Sequence, residues 1–312
     1  MKKLYLMLFG AMLFVTANAQ NGADGYVLDS TYTTDLSGAR WSKTVNEYND
    51  KKQLVVSYDY SYLNGVEQLS EKTLTIYDDN GKLAKQESYD YVNGEPTLVY
   101  VEEAQEYNGD GEITVITTKG IDDENPAAGL QNGAKLVAVE FDGKRVAKYD
   151  YYVWEGNDWE LIGYYKFLRN ADGTLKQEII SWESFYEGLG TFDVWMVTTF
   201  EYDNHKNVTK ETEETSIPMY EYVLSSSETN YKNEYDAAGN PIKITSSKVS
   251  EEGISSDIEH LFWSTSGTTS VDLLAKVRKL SKGIYDYNGL KLQSLPTKKG
   301  LYIVDGKKVM IK

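Results

Sequence analysis

The sequence predicts an all-β protein: a long antiparallel meander of repeated hairpins, curled or laid out as a single layer, with a small β module at its C-terminal end. Three observations predict it. Turn-forming stretches of the form Tyr77-Asp78-Asp79-Asn80-Gly81-Lys82-Leu83 recur along the chain at a spacing of roughly thirty residues, the range of internal repeats. The segments between them alternate apolar and polar residues with period two, the signature of strands. A second set of turns, of Asn-Gly type, falls between the first.

The first nineteen residues read as a secretory signal peptide to be set aside from the fold. Lys2 and Lys3 form a charged start, Leu4 to Val15 is an apolar run, and Ala17-Asn18-Ala19 is a small-x-small cleavage site ending at Ala19-Gln20. The run is short of the ~20 residues a membrane helix needs, and no other long apolar stretch follows, so no membrane span is expected in the mature chain. Gln20 stands where a lipid-anchored protein needs Cys, and the chain has no Cys at all. Disulfides and thiolate metal sites are therefore excluded.

Residues 20–263 hold the hairpin repeats. Copies of the first turn are Tyr48-Asn49-Asp50, Tyr107-Asn108-Gly109-Asp110-Gly111, Phe141-Asp142-Gly143, Leu168-Arg169-Asn170-Ala171-Asp172-Gly173, Tyr202-Asp203-Asn204 and Tyr235-Asp236-Ala237-Ala238-Gly239. Asp and Asn side chains bond the backbone two residues on, and Gly accepts positive φ without steric cost. Gly81, Gly111, Gly173 and Gly239 are placed for this role, and Asn207 is the candidate where Gly is missing. The flanks fit strands: Leu54, Val56, Tyr58, Tyr60 and Tyr62 share one face, and Phe192, Val194, Met196, Thr198, Phe200 and Tyr202 repeat the pattern. Asn64-Gly65, Asn93-Gly94, Asn132-Gly133 and Gly156-Asn157 supply the second turns. Seven units give about fourteen strands.

After Trp263 the composition shifts. Residues 264–282 open Ser/Thr/Gly-rich and read as a linker, and 283–312 read as short strands around Asn288-Gly289 and Asp305-Gly306. The charge turns basic here, with Lys298, Lys299, Lys307, Lys308 and Lys312. The chain as a whole is acidic: its formal net charge is −16, and −18 once Lys2 and Lys3 are removed. That balance argues against nucleic acid, which is bound through basic groups, and against adsorption to anionic lipid.

No catalytic constellation stands out. His205 and His260 are the only histidines, without ligand spacing for zinc, and no Gly-x-Ser-x-Gly elbow is present. With 48 acidic residues no carboxylate pair is singled out for glycoside hydrolysis. Asp78-Asp79-Asn80 and Asp122-Asp123-Glu124-Asn125 offer oxygens for calcium but lack EF-hand spacing. No cofactor and no metal is expected. The aromatics are the better lead. Trp154, Trp159, Trp182 and Trp195 cluster in the middle units, and Tyr58, Tyr60, Tyr62, Tyr89 and Tyr91 line strand faces. Such rings stack on sugars or partner surfaces, or simply cover one face of a thin sheet.

The Tyr-Asp-x-x-Gly-x-Leu form at Tyr77 to Leu83 resembles the YD repeats of Rhs-type and teneurin-type surface proteins, over most of residues 48–245. The chain is similar also to secreted repeat proteins of gut-dwelling Gram-negative bacteria. Gly283-Ile284-Tyr285-Asp286-x-x-Gly289-x-x-Leu292, followed by Lys299-Gly300-Leu301-Tyr302-Ile303-Val304-x-Gly306-Lys307-Lys308-Val309, resembles the end of the type IX secretion C-terminal sorting domain. These resemblances imply a non-enzymatic exported protein at the cell surface or in the medium, the periplasm being the alternative. The expected role is adhesive or binding, with a host or bacterial surface protein as partner, and residues 283–312 would meet the secretion machinery. Carbohydrate binding for glycan capture is the alternative function.

Overall fold

In this computed structural model the described residues are 22–265, except 93, 123–124 and 187–189, and the backbone of four short strands between 284 and 311. The expected signal segment, its cleavage point at Ala19-Gln20, and all but the start of the expected linker lie outside them.

The alternating segments are strands, and each pairs with its neighbours in the chain. They are β1 (Val27–Asp35), β2 (Arg40–Tyr48), β3 (Leu54–Leu63), β4 (Val66–Tyr77), β5 (Leu83–Val92), β6 (Glu95–Tyr107), β7 (Ile113–Ile121) and β8 (Leu130–Asp142). There follow β9 (Arg145–Trp154), β10 (Trp159–Arg169), β11 (Leu175–Tyr186), β12 (Gly190–Tyr202), β13 (Val208–Ile217), β14 (Tyr222–Tyr235), β15 (Pro241–Ser250) and β16 (Gly253–Ser264). β16 pairs back on β1 in antiparallel register, with Thr31 opposite Leu261, so the meander closes into a barrel. The meander is thus curled to closure, and the single-layer alternative is not the arrangement found. There are sixteen strands, not fourteen, because the seven repeated turns join β2 through β15 and two further strands flank the outermost turns. Those two pair with each other, and closure leaves no free edge.

The repeated turns explain themselves atom by atom. At the turn after β4, the Asp78 carboxylate accepts the Asn80 and Lys82 amides at 2.9 and 2.8 Å. The Gly81 amide donates to the Asp78 carbonyl at 2.9 Å. Gly81 takes φ +79, where a side chain is strained, and the register then shifts by one residue as the strand restarts. This is the three-residue hairpin loop with a bulge. Asn49, Asn108, Asp203 and Asp236 accept the same two amides in their own turns. Where Gly is missing, the left-handed position falls to Lys52 (φ +60) and Lys206 (φ +64). The expectation for Asn207 is corrected: it lies one residue past that position and is buried, 1% exposed.

Why Tyr precedes the turn, and why an apolar residue follows it, is also visible. Tyr48, Tyr77 and Tyr107 donate their hydroxyls to the carbonyls of Leu28, Leu54 and Leu83. Leu54 and Leu83 restart the strands after the preceding repeated turn, so each unit is fastened to the one before it. Tyr149 reaches Ile113 in the same way at 2.6 Å, and Arg169 and Trp263 serve where Tyr is absent, bonding the carbonyls of Val146 and Pro241. The turns touch each other too. Gln53 bonds the Gly81 carbonyl, Lys144 pairs with Asp110, Arg145 bonds the Gly173 carbonyl and His205 stacks on Tyr235. The Asn240 side chain accepts the Ala23 amide at 2.7 Å and completes this ring at one end of the barrel.

The lumenal face divides in two. From β7 to β13 it is apolar and packed, around Ile116, Leu136, Tyr149, Tyr151, Tyr165, Phe167, Ile180 and Phe200. From β14 through β1 to β6 it is largely polar, and Thr31, Asn46, Thr75, Ser88 and Glu102 are buried there. At the C-terminal end Ile284–Asp286, Lys291–Leu292, Gly300–Val304 and Lys307–Ile311 form a four-stranded antiparallel sheet, with the second outermost and the first beside it.

Candidate functional site

The outer wall is made by the residues that alternate with the lumenal ones. It combines rings with charges. On β3 the outward set is Val56, Tyr58, Tyr60 and Tyr62, while Ser57, Asp59 and Ser61 face the lumen. The assignment follows from Asp59, which accepts the Thr44 hydroxyl at 2.6 Å and whose carboxyl burial pushes above the usual range. Lys43 lies 4.8 Å from the Tyr60 ring centre and Lys72 lies 5.8 Å from that of Tyr58, cation–π contacts at a wet surface. Burial raises the phenols of Tyr58 and Tyr60, with Glu47 and then Tyr60 and Tyr91 adding at Tyr58, and Glu67, Glu47 and then Tyr91 adding at Tyr60. Tyr58 and Tyr89 flank Lys72 from either side of β4, so the rings of β3 and β5 share one stretch of wall. Tyr62 donates to Glu67 and Tyr89 to Glu87, so the polar tips are engaged within the wall.

Ion pairs continue around the wall. Lys43–Glu67, Lys85–Glu87, Lys148–Asp150, Lys166–Glu140, Lys210–Glu228 and Lys243–Glu234 lie at 2.7 to 3.4 Å. Each is worth little to stability. Together they give the outer face charges of both signs.

The four tryptophans are not brought to one site. Trp154 and Trp159 pair across the β9–β10 hairpin, with ring centres 5.2 Å apart at 68°. Lys135 caps this pair, 5.1 Å from the Trp159 ring. Trp182 turns into the lumen and packs against the apolar core. Trp195 is opposite Ser181 on β11, on the outer wall and away from the pair. The expectation of a single cluster is corrected to one pair and two separate rings, because strand alternation sends sequence neighbours to opposite faces. Trp41, which the sequence reading passed over, is half exposed at the barrel rim and donates to Asp257 at 3.2 Å.

At the end that carries the Asn64-Gly65 turn, the lumen opens as a cleft of about 460 Å³ lined by Glu213, Ser225, Ser227, Lys248, Ser250 and Ser255. Deeper in, burial raises several carboxyls above their usual range. Burial, then Glu211, raises Glu178 to about 7, and burial also raises Glu211 and Glu259. Nothing in composition or spacing flagged these residues. The signal that finds them is parity: they occupy lumenal positions in strands whose other lumenal residues are core.

The two histidines lie apart. His205 sits in the turn after β12, and His260 stacks on Tyr32 at 4.5 Å on the outer wall. Among the described residues no group of three or more His, Cys, Asp or Glu side chains could hold a metal. Asp78 spends its carboxylate oxygen on the turn amides.

No family model matches this chain, and no curated protein matches it. Solved structures give distant likenesses. A porin-like protein from Bacteroides vulgatus is similar over 75% of this chain and 97% of its own, at 11% identity and a TM-score of 0.32. A DUF3836 family protein from Parabacteroides distasonis is similar over 28% of this chain and 83% of its own, at 16% identity and a TM-score of 0.22. The Tc holotoxin pore of Photorhabdus luminescens is similar over 87% of this chain, which spans 18% of the toxin chain, at 11% identity and a TM-score of 0.25.

Proposed function

We propose that this is an exported, non-catalytic binding protein whose barrel works in water, at the cell surface or in the medium, and meets its partner through the aromatic outer wall. The observation that carries the reading is the patch of Tyr58, Tyr60 and Tyr91, with Lys43 and Lys72 beside the rings. Amphipathic rings with polar tips, set among cations, suit recognition of a polar partner surface. The ion pairs on nearly every side of the wall argue against a barrel embedded in lipid, which needs an outward apolar band ~25 Å tall. The test is binding of the mature protein to whole cells and extracellular matrix proteins, compared with the Tyr60→Ala/Tyr91→Ala double variant. The expected result is a folded variant with at least tenfold weaker binding. Equal binding by both removes the patch from the reading.

Glycan capture is the second reading, favoured by the Trp154–Trp159 pair, whose two rings meet near edge-on beside Lys135. Its test is a glycan array read together with Trp fluorescence. Absence of any hit with unmoved fluorescence removes it. Residues 283–312 serve, in this reading, as the address for secretion. Deleting them in the native host is expected to strand a folded protein in the periplasm, and normal surface or medium levels would overturn that role.

A further inference from the structure

Two buried oxygens on neighbouring strands have no hydrogen-bond donor: Oε1 of Glu102 and Oε1 of Gln86. They belong to register partners, Gln86 on β5 facing Glu102 on β6. Glu102 is wholly buried, 0% exposed. Its other oxygen, Oε2, lies 3.3 Å from the Tyr100 hydroxyl, which donates to it. The Gln86 amide nitrogen donates to Thr75 Oγ1 at 3.2 Å on β4, which leaves its oxygen for the β6 side. Two acceptors set opposite each other in a buried site repel, and each is costly to leave unpaired. One hydrogen between them satisfies both.

Among the described residues no cation faces the site to supply that hydrogen bond or balance a charge. β5 contributes Gln86, and β7 contributes Thr118, whose hydroxyl accepts the Ala134 amide at 2.9 Å. β9 and β10 contribute Tyr149 and Tyr165, phenols that both feel Glu102. Beyond Tyr165 is Glu178, a further acid, and beyond Tyr149 is Arg169, already bonded to the Val146 carbonyl at 3.0 Å. An ionised Glu102 would therefore be a buried charge with one weak donor.

We propose that Glu102 is carried as a neutral carboxylic acid whose proton bridges to Gln86 Oε1, and that loss of this proton at alkaline pH is a built-in release of the barrel wall between β5 and β6. Burial pushes the Glu102 carboxyl up to about 9, in keeping with this geometry. Because the folded value lies above the unfolded one, the contribution is whole below about pH 4.5. It is lost progressively as pH rises through about 9. Across that window one extra proton held by the folded state changes the unfolding constant about tenfold per pH unit. Glu178, raised to about 7, adds its own loss in the lower part of the window.

The experiment is urea unfolding of the mature protein from pH 5 to pH 10, for wild type and Glu102→Gln. The amide cannot ionise and offers an N–H to Gln86 Oε1. Glu102→Gln is expected to match wild type at pH 5, to lose about one proton's worth of alkaline slope, and to be the more stable form above pH 9. An unchanged slope overturns the proposal. Should the variant fail to fold, the carboxyl carbon of Glu102, followed by NMR in wild type, decides: a carboxylic acid signal at pH 7 supports the proton, and a carboxylate signal overturns it. A rise in wild-type midpoint on adding sodium or calcium ions at pH 8, absent in Glu102→Gln, would place a cation between the oxygens and also overturn it.

Discussion

Gly163→Ala should be among the most damaging single-methyl changes in this barrel. Gly163 sits on β10 between Tyr151 of β9 and Trp182 of β11, next to a register shift that follows Leu161. A Cβ there would lie 1.8 Å from the Ser181 carbonyl oxygen, 2.7 Å from its carbon and 2.9 Å from Trp182 Cα. All three atoms are main chain, so no side-chain rotation gives relief. Ordinary contact between such atoms needs ~3.5 Å, so β10 and β11 must part by more than an ångström. That breaks about two ladder bonds, each worth ~1 kcal/mol, and forces Tyr151, Tyr165 and Trp182 to repack at a further ~1–3 kcal/mol. The expected cost is about 3–5 kcal/mol, a large share of the 5–15 kcal/mol typical of a folded domain. Urea unfolding measures it, with Gly65→Ala as control: Gly65 has φ +77 and open space around its Cβ position, so backbone strain alone, about 1 kcal/mol, is expected there. A Gly163→Ala cost no larger than that of the control would refute the argument from close approach.

Other expectations follow from the turns and the closure. Gly81→Val, with φ +79 at the site, should cost roughly 1–2 kcal/mol by urea unfolding. A variant within a few tenths of wild type would contradict the left-handed assignment. Lys52→Gly should stabilise by about 0.5–1 kcal/mol, since Lys52 holds φ +60 where the repeat elsewhere uses Gly; a fall in the unfolding midpoint would mean the Lys52 bond to the Gly25 carbonyl outweighs the strain. Tyr77→Phe should cost about 1 kcal/mol, the bond from its hydroxyl to the Leu54 carbonyl at 3.0 Å, and a neutral change would show that ring burial alone explains the residue. Removing residues through Leu63 takes β1, β2 and β3 and exposes the edges of β4 and β16. Circular dichroism and proteolysis should then report loss of the cooperative fold, and a soluble, protease-resistant remainder would show that closure is dispensable.

The repeated turns were the most legible part of the fold, because Asp, Asn and Gly act through local backbone chemistry that a short stretch contains in full; Asn132-Gly133, expected as a turn, instead lies inside β8, where pairing with β7 overrides the local preference. Gly81 and Asp78 do what their residue types dictate. Closure was not legible: it depends on how many strands accumulate and on the register of β1 against β16, more than two hundred residues apart. The direction of the faces was half legible. Period two placed Tyr58, Tyr60 and Tyr62 together, but the rule that the aromatic face is buried fails on β3. There the lumen opposite is polar, and lysines and glutamates cover the rings from outside. The tryptophans show the same limit. Trp182 and Trp195 are close in sequence, yet they end on opposite faces because they lie on different strands with opposite parity. Glu102 was invisible for the converse reason, since a Glu beside Val101 reads as a solvated residue until the parity of β6 is known.

The bond from Asn240 to Ala23 and the pairing of Ser264 with Asp29 span 217 and 235 residues. Like the β1–β16 ladder and the Trp41–Asp257 bond, they belong to the closing seam. Every other ladder of the barrel joins strands adjacent in the chain, so assembly divides into two unlike stages. Fifteen interfaces form by local hairpin zipping, at a loop-closure cost of about 3 kcal/mol for ~30-residue units. The last forms between the two ends of the meander, only after the final strand has emerged. Until then the chain is an open sheet with β1 and β16 as bare edges, the state most exposed to pairing with another molecule. A chain stalled at any point before Ser264 would be trapped in that state. At high local concentration the β1 edge of one copy could complete the barrel of another, giving a swapped dimer with the same contacts and a different connectivity.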